Sequence, residues 1–105
     1  MIRHVVFYTY RSDIADAEIA QIYQRLGQIC ARLPGQSGYT WGKCDQDDGL
    51  NLSRGYTHCL VTDFADKAAQ KAFMEDPERV ALSKNEVVPR VVGGIEGIIS
   101  FDFAY

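Results

Sequence analysis

The sequence contains few of the residues and runs that mark several large classes of protein. Among 105 residues there are three prolines, three cysteines, two histidines and one tryptophan. No apolar run approaches the roughly 18 residues that a membrane-spanning helix needs. There is no basic stripe, since 14 acidic residues outnumber 11 basic ones and the net charge is −3. We therefore expect no membrane span and no nucleic-acid partner.

The cysteines are too few and too scattered for a disulfide framework or a metal site. They are odd in number, and no CxxC or Cys/His ligand spacing appears at Cys30, Cys44 or Cys59. The first residues read directly as a strand rather than as a signal or transit peptide. A reduced, cytoplasmic chain is the interpretation that these features favour.

A cluster of acidic residues is the remaining candidate for a cation site. Asp45, Asp47 and Asp48 precede Gly49, but the spacing of a calcium loop and its closing glutamate are absent. We interpret this stretch as a solvated loop. We predict no cofactor and no metal held by side chains, while a metal held by backbone carbonyls, which leave no signature in the sequence, stays open.

The composition that remains is that of an ordinary globular chain. Apolar residues make up 47% of the sequence and mean hydropathy is −0.18. The length predicts one domain over residues 1–105. Such a domain buries about two-thirds of its unfolded surface, which leaves little room for a full core and a ligand cavity together. Association with a second chain would relieve this shortage.

Periodicity predicts four strands and two helical regions. The strands are expected at residues 2–10, 39–44, 55–64 and 95–103, where β-branched and aromatic residues are frequent. The first helix is indicated by apolar residues three and four apart, at Ile19, Ile22, Tyr23, Leu26, Ile29, Cys30 and Leu33. Asp66 and Asp76-Pro77 begin the second helical region, which Pro89 is expected to bend or end. The order β-α-β-β-α-β predicts an α+β, ferredoxin-like fold with its helices on one face of an antiparallel sheet.

Both faces of the predicted sheet carry apolar residues, although only one layer of helices is available. In the first strand, for example, Val6 and Tyr8 alternate with Val5 and Phe7. A second copy of the chain, packed sheet against sheet, would cover the face that the helices leave open. The pattern therefore predicts a homodimer.

Four short motifs resemble one family along nearly the whole chain. They are Ile2-Arg3-His4-Val5-Val6, Trp41-Gly42, Gly55-Tyr56-Thr57-His58 and Phe101-Asp102-Phe103. In order and spacing they resemble the stress-responsive A/B barrel domain family, Dabb. The resemblance implies a dimeric α+β barrel with a small apolar cavity between sheet and helices. The family includes a plant polyketide cyclase, and the wider superfamily includes cofactor-independent monooxygenases and small isomerases.

The resemblance also implies where the site lies and where this chain departs from the cyclase. It places His4 and His58 toward the cavity. The cyclase has a His-Pro-x-His segment whose second histidine is its base, and Arg79 stands at that position here. Phe73 stands where the cyclase has a tyrosine. A guanidinium keeps its proton at neutral pH and is no general base, so an inward Arg79 would instead hold a carboxylate, enolate or phosphate.

Each candidate residue has a structural alternative. His4 and His58 are expected as cross-strand neighbours on the helix-facing side, acting as base and donor or else satisfied locally in the core. Among the phenols, Tyr23 and Tyr56 are the candidates for polarising a carbonyl. Trp41 stacks on a substrate or packs at the sheet edge. Arg79 binds an anion or pairs on the surface with Asp76 or Glu75.

Three functions remain open. The first is a lyase, cyclase or isomerase that transfers a proton on a small carbonyl compound, with His58 or His4 as base, Tyr23 or Tyr56 as donor, and Arg79, Phe73 and Trp41 at the substrate. The second is a non-catalytic stress-related or ligand-binding dimer. The third is a cofactor-independent monooxygenase.

Overall fold

The computed structural model describes residues 1–45 and 52–105. Within them lie four strands and three α-helices in the predicted β-α-β-β-α-β order. The elements are β1 (Ile2–Tyr8), α1 (Asp16–Arg32), β2 (Gln36–Lys43), β3 (His58–Phe64), α2 (Lys67–Glu75), α3 (Pro77–Leu82) and β4 (Ile98–Ala104). No helix among the described residues is long and apolar enough to cross a membrane.

The four strands form one antiparallel sheet in the order β2-β3-β1-β4. In the central pair, Ile2 of β1 lies opposite Phe64 and Tyr8 lies opposite His58. On the other side, β1 pairs with the edge strand β4, so that His4 lies opposite Asp102. This is the ferredoxin-like α+β arrangement that the order of elements predicted.

Alternation along the strands separates a buried face from an open one. The even-numbered residues of β1 are buried against the helices, as are His58, Leu60, Thr62 and Phe64 of β3. Helix α1 contributes its apolar stripe to the same core, including Tyr23 and Ile29. The odd-numbered face stays uncovered: Phe7, Ile99, Phe101 and Phe103 are between 39% and 63% exposed.

The second helical region is segmented, and it forms one wall of the site. Asp66 caps α2 by accepting from the Ala69 amide at 2.9 Å, and Asp76 caps α3 by accepting from the Arg79 amide at 3.0 Å. After α3 the chain forms a π-helical turn at Ser83–Val87 and a 3₁₀ turn at Val88–Arg90. The helical region ends at Arg90, one residue after Pro89, which agrees with the predicted end there, because proline cannot donate to the helical ladder.

Several predicted boundaries were wrong by a few residues. Strand β1 ends at Tyr8 rather than residue 10, and Tyr10 makes only an isolated bridge to Val91. Strand β2 begins earlier, at Gln36, and β3 begins later, at His58. Residues 95–97, expected in the last strand, belong instead to a 3₁₀ turn at Gly94–Gly97 before β4. Local propensity marks an element well, but hydrogen bonding to neighbours decides where it ends.

Candidate functional site

A cavity of about 280 Å³ lies between the sheet and the second helical region. Its polar lining residues are His4 and Tyr8 of β1, Arg79 of α3, Ser83 of the π turn and Ser100 of β4. Phe73 and Leu26 are among its apolar lining residues. The cavity is therefore mostly apolar with a few convergent polar groups, which is the usual character of a small-molecule site.

His4 is held in one orientation by two residues distant in sequence. Its Nδ1 lies 2.6 Å from Oδ1 of Asp102, which is opposite it on β4. The other oxygen of that carboxylate accepts from Nε2 of Gln70, on α2, at 2.7 Å. An ionised carboxylate only accepts hydrogen bonds, so a neutral His4 ring carries its proton on Nδ1 and its lone pair on Nε2.

The His4 ring has an aromatic surround on its other sides. The ring centroids of Phe64 and Phe73 lie 5.5 Å and 5.4 Å away, and His4 is only 4% exposed. No residue in the described part of the chain hydrogen-bonds Nε2. That atom is therefore the one by which the ring can take a proton from a molecule in the cavity.

Tyr8 supplies a phenol to the same cavity and lies four residues after His4 on the same face of β1. Burial raises its pKa well above the ordinary value, and Tyr10 adds to this effect. Its ring packs against those of Tyr10 and Tyr23 at centroid distances of 5.7 Å and 5.6 Å. The phenol therefore stays protonated at neutral pH and acts as an O–H donor rather than as a base.

Arg79 lines the cavity. The alternative in which its side chain pairs on the surface with Asp76 or Glu75 is therefore wrong. Its Nε donates to the carbonyl of Phe73 at 2.8 Å, and Nη2 donates to that of Met74 at 2.9 Å. The guanidinium also lies 5.1 Å from the Phe73 ring centroid. Burial lowers the pKa of Arg79 from its usual value, yet a guanidinium remains charged at neutral pH.

The expectation that His4 and His58 are cross-strand neighbours was wrong. Strands β1 and β3 are adjacent but antiparallel, so the beginning of one lies beside the end of the other. His4 is opposite Thr62, and His58 is opposite Tyr8. Both histidines do face the helices and are buried. His58 lies outside the cavity that His4 lines.

His58 belongs instead to a cluster of aromatic rings at the other end of the strands. Tyr23 is fully buried there, 4.8 Å from the Trp41 ring and 6.4 Å from the His58 ring, in stacked geometry. Its hydroxyl lies 3.0 Å from that of Tyr10, and burial raises its pKa far above the ordinary value. Neither Tyr23 nor Trp41 lines the cavity of His4.

Tyr56 lies on a different side of the sheet. Its ring contacts that of Phe7, on the uncovered face, at a centroid distance of 6.3 Å. It lines a more open cavity of about 490 Å³, together with His58, Cys44 and Cys59. This larger cavity opens onto the apolar outer face and has no acid–base pair like that of His4 and Asp102 among its described lining residues.

Sequence reasoning missed Asp102, Gln70 and Ser83, and it named Tyr8 without selecting it. Asp102 had a usable signal, because it is an acidic residue in an otherwise apolar strand. In a ferredoxin-like sheet β4 pairs with β1, which brings position 102 beside position 4. Gln70 and Ser83 had none, since their roles depend on how the helices pack on the sheet.

Metal-binding clusters are absent from the described residues. No group of three or more His, Cys, Asp or Glu side chains there is arranged to hold an ion. Asp47 and Asp48, from the acidic loop, lie outside the described residues. All three cysteines are free thiols.

The architecture defines a ferredoxin-like protein with a cavity between its sheet and its helices. A sequence model of the stress responsive A/B barrel domain, Dabb, matches residues 2–104. The chain therefore belongs to this family, as its four motifs suggested. No functionally curated protein matches the sequence.

Solved structures with the same fold include proteins of different activities. A dimeric ferredoxin-like protein of unknown function from Jannaschia sp. CCS1 is 23% identical over 99% of this chain and 98% of its own, with a TM-score of 0.86. A hydroxynitrile lyase from Passiflora edulis is 24% identical over 97% and 90%, with a TM-score of 0.81. A cofactor-independent oxygenase from Streptomyces nogalater is 15% identical over 99% and 91%, with a TM-score of 0.73. At these identities the likeness shows a shared fold.

Proposed function

We propose that this protein catalyses a proton transfer on a small carbonyl compound, as a lyase, cyclase or isomerase that needs no redox cofactor. The observation that carries the proposal is the 2.6 Å hydrogen bond between Nδ1 of His4 and Asp102 at the cavity wall. A buried imidazole whose tautomer is fixed by a carboxylate, with its second nitrogen toward a cavity, is suited to act as a general base.

In the proposed step, Nε2 of His4 removes a proton from the carbon next to the substrate carbonyl. The electron pair of that C–H bond moves to the carbonyl oxygen and gives an enolate. Tyr8 donates its O–H to that oxygen, since its raised pKa keeps the phenol protonated. The imidazolium then returns the proton to another atom of the enolate in an isomerase, to the alkoxide that forms when the enolate adds to a second carbonyl in a cyclase, or to the group that leaves from the β-carbon in a lyase.

Asp102 and Gln70 are positioning residues in this proposal. Asp102 stabilises the imidazolium and keeps the ring proton on Nδ1, while Gln70 fixes the carboxylate from α2. Phe73 borders the substrate through its contact with the His4 ring. Trp41, Tyr23 and His58 support the cavity from the neighbouring aromatic cluster. Tyr56 belongs to the outer face.

The similar structures support small-molecule chemistry on this fold. One is named a lyase and another a cofactor-independent oxygenase. The acid–base pair at the cavity favours proton transfer over a non-catalytic binding role, because a ligand-binding cavity needs no imidazole held in one tautomer. Oxygen uptake with an aromatic substrate would instead favour the monooxygenase.

Exchange of carbon-bound hydrogen with solvent tests the proposal. The purified protein is incubated in D₂O with acetylacetone, acetoacetamide, cyclohexanone, acetoacetate and levulinate, and loss of the α-proton signals is followed by ¹H NMR. We expect exchange above the buffer rate for part of this set, reduced about 10²-fold or more in His4→Gln. Exchange that is unchanged in His4→Gln would reject His4 as the base, and His58→Gln is the comparison that tests the other histidine.

A homodimer formed through the outer face of the sheet is part of this proposal. Phe7, Ile99, Phe101 and Phe103 expose a contiguous apolar surface that isolated soluble domains rarely present. Similar structures from three sources are described as dimeric ferredoxin-like proteins. The three free thiols fit a reducing compartment such as the cytoplasm.

A further inference from the structure

Arg79 differs from most arginines of this chain because its guanidinium has no carboxylate as an ion-pair partner among the described residues. Five arginines form ion pairs within 4.0 Å, namely Arg3, Arg11, Arg25, Arg32 and Arg90. Within residues 1–45 and 52–105, no carboxylate oxygen lies that close to the guanidinium of Arg79. Its Nε and Nη2 are occupied by the carbonyls at the end of α2. Nη1 has no hydrogen-bond acceptor in the same described ranges.

The carboxylate whose charge acts on Arg79 is already engaged elsewhere. Asp76 accepts from Nη2 of Arg32 at 2.9 Å and 3.1 Å, and from the backbone amide of Arg79 at 3.0 Å. These bonds draw its oxygens toward α1 and the start of α3. The positive charge of Arg79 at the cavity wall is therefore left without a direct counter-charge from the described protein.

A hydroxyl lies one helical turn beyond Arg79 on the same wall. Ser83 begins the π-helical turn and lines the cavity with Arg79, four residues earlier. Side chains four residues apart lie on the same side of a helix. Oγ of Ser83 has no partner in the described part of the chain. An arginine N–H and a serine O–H thus remain available together as donors.

Resting on the proposed function, we propose that the substrate is a small monoanion, a carbonyl compound whose carboxylate binds Nη1 of Arg79 and Oγ of Ser83 while its reactive carbon lies at His4. A single cation matches one carboxylate better than a phosphate dianion, which would need a second positive group. The cavity has about the volume of nine water molecules at roughly 30 Å³ each, so the substrate is small.

The test uses a pair of probes that differ in charge but hardly in shape. Phenylacetate and phenylacetamide, with phenyl phosphate as a third probe, are titrated into ¹⁵N-labelled full-length protein, and the signals of the His4 imidazole and the Arg79 side chain are followed. We expect phenylacetate to bind at least about tenfold more tightly than phenylacetamide, because the hydrogen bonds it accepts are charge-assisted. Added salt should weaken the binding of phenylacetate and leave the binding of phenylacetamide unchanged.

Variants connect the preference to Arg79. In Arg79→Gln the preference for phenylacetate should fall to about unity, whereas Arg79→Lys should keep part of it. Arg25→Gln removes the same charge from the exposed surface of α1 and should leave the preference unchanged. Because Arg79 also binds the end of α2, thermal unfolding is measured for each variant, and the salt effect on the unaltered protein tests the proposal without any substitution.

The outcomes separate this inference from the proposed function. Equal binding of phenylacetate and phenylacetamide, tighter binding of phenyl phosphate, or no binding of any probe at millimolar concentration would overturn the proposed carboxylate monoanion. Selective phenylacetate binding without hydrogen exchange in any compound would leave the anion site standing and reject the proton transfer. Hydrogen exchange of cyclohexanone as fast as that of levulinate would support the proton transfer and reject the anion site.

Discussion

Nδ1 of His4 and Oδ1 of Asp102 lie 2.6 Å apart although 98 residues separate them in the chain. The two residues are directly opposite each other on β1 and β4, so the sheet itself brings them together. A hydrogen bond made by opposite residues on paired strands is rigid, because both backbones are fixed by the ladder. The orientation of the imidazole therefore depends on the sheet rather than on a loop.

Replacing Asp102 by Asn should reverse the tautomer of His4. Gln70 donates to the outer oxygen of the carboxylate at 2.7 Å, which favours an Asn whose carbonyl faces Gln70 and whose NH₂ faces Nδ1. The ring proton would then move to Nε2, and the base would be lost. We expect hydrogen exchange to fall by about tenfold or more, as expected when a catalytic histidine takes the wrong tautomer.

The tautomer is measured directly from the imidazole ¹⁵N shifts in Asp102→Asn. Asp13→Asn is the control, since Asp13 is exposed and, among the described residues, pairs with Arg11 alone. An Asp102→Asn protein with the wild-type tautomer and a reduced rate would show that the carboxylate acts by its charge alone. An unchanged rate would remove Asp102 from the mechanism.

His58 should make the protein less stable as the pH falls below neutrality. Burial lowers its pKa from the ordinary value of 6.5, and the nearby Lys43 adds to this effect. The unfolded chain therefore binds a proton at a higher pH than the folded chain does. Stability from this residue is present above pH 6.5 and is lost as the pH falls through the lower, folded value.

Thermal unfolding between pH 7 and pH 5 measures this effect. We expect the melting temperature of the unaltered protein to fall over that range, and that of His58→Gln to fall less. Asp63 and Asp76 have lowered pKa values through Arg3 and Arg32, so they titrate below this window. Parallel curves for the two proteins would contradict the assignment to His58.

Gly97 should tolerate no side chain, whereas Gly42 should tolerate alanine. A Cβ atom at Gly97 would collide with the backbone carbonyl of Val92 and with the side chains of Thr9 and Val91. At Gly42 a Cβ would meet nothing within 4 Å. We expect Gly97→Ala to reduce the free energy of unfolding by about 1–3 kcal/mol, the usual cost of overpacking.

Urea denaturation of the two variants checks this expectation. Gly42→Ala serves as the matched control, because it adds the same methyl group at a position in β2 where space is free. Similar unfolding midpoints for the two variants would show that the turn before β4 is free to move.

A charge on the outer face of β4 should prevent dimer formation. Phe101 is 63% exposed and lies between Ile99 and Phe103 on the apolar face of β4. Phe101→Asp would require a carboxylate to be desolvated at the interface, which is costly without a partner. Light scattering after size-exclusion chromatography should then give the mass of a monomer.

Val92→Asp is the matched control for the dimer. Val92 is similarly exposed, at 55%, but it lies outside the sheet. The proposed interface would be contradicted if Phe101→Asp kept the wild-type mass, or if Val92→Asp were equally disruptive.

The order of elements and the caps of α2 and α3 were predictable because they depend on local chemistry. Asp66 and Asp76 precede their helices and accept from the expected amides. The fold followed from this order, and the family from the four motifs. The pairing of His4 was not predictable from the position of each histidine in its own strand, because antiparallel register reverses one strand relative to the other.

The inward position of Arg79 required the structure for a different reason. Its side chain is bound by two carbonyls at the end of α2, which become available only because α2 stops at Glu75 and α3 starts at Pro77. A sequence shows that such a break exists but not which side chain turns into it. Ser83 depends in the same way on the π-helical turn, which no propensity indicates.

Consecutive side chains of strand β4 point to opposite faces of the sheet. Phe101 and Phe103 point to the uncovered face, while Asp102, between them, reaches His4. A slip of one residue in the pairing of β4 would send the carboxylate outward and a phenylalanine inward. Because three adjacent residues alternate between the proposed interface and the proposed base, we expect a single insertion or deletion there to disrupt both at once, whereas a substitution would change either one alone.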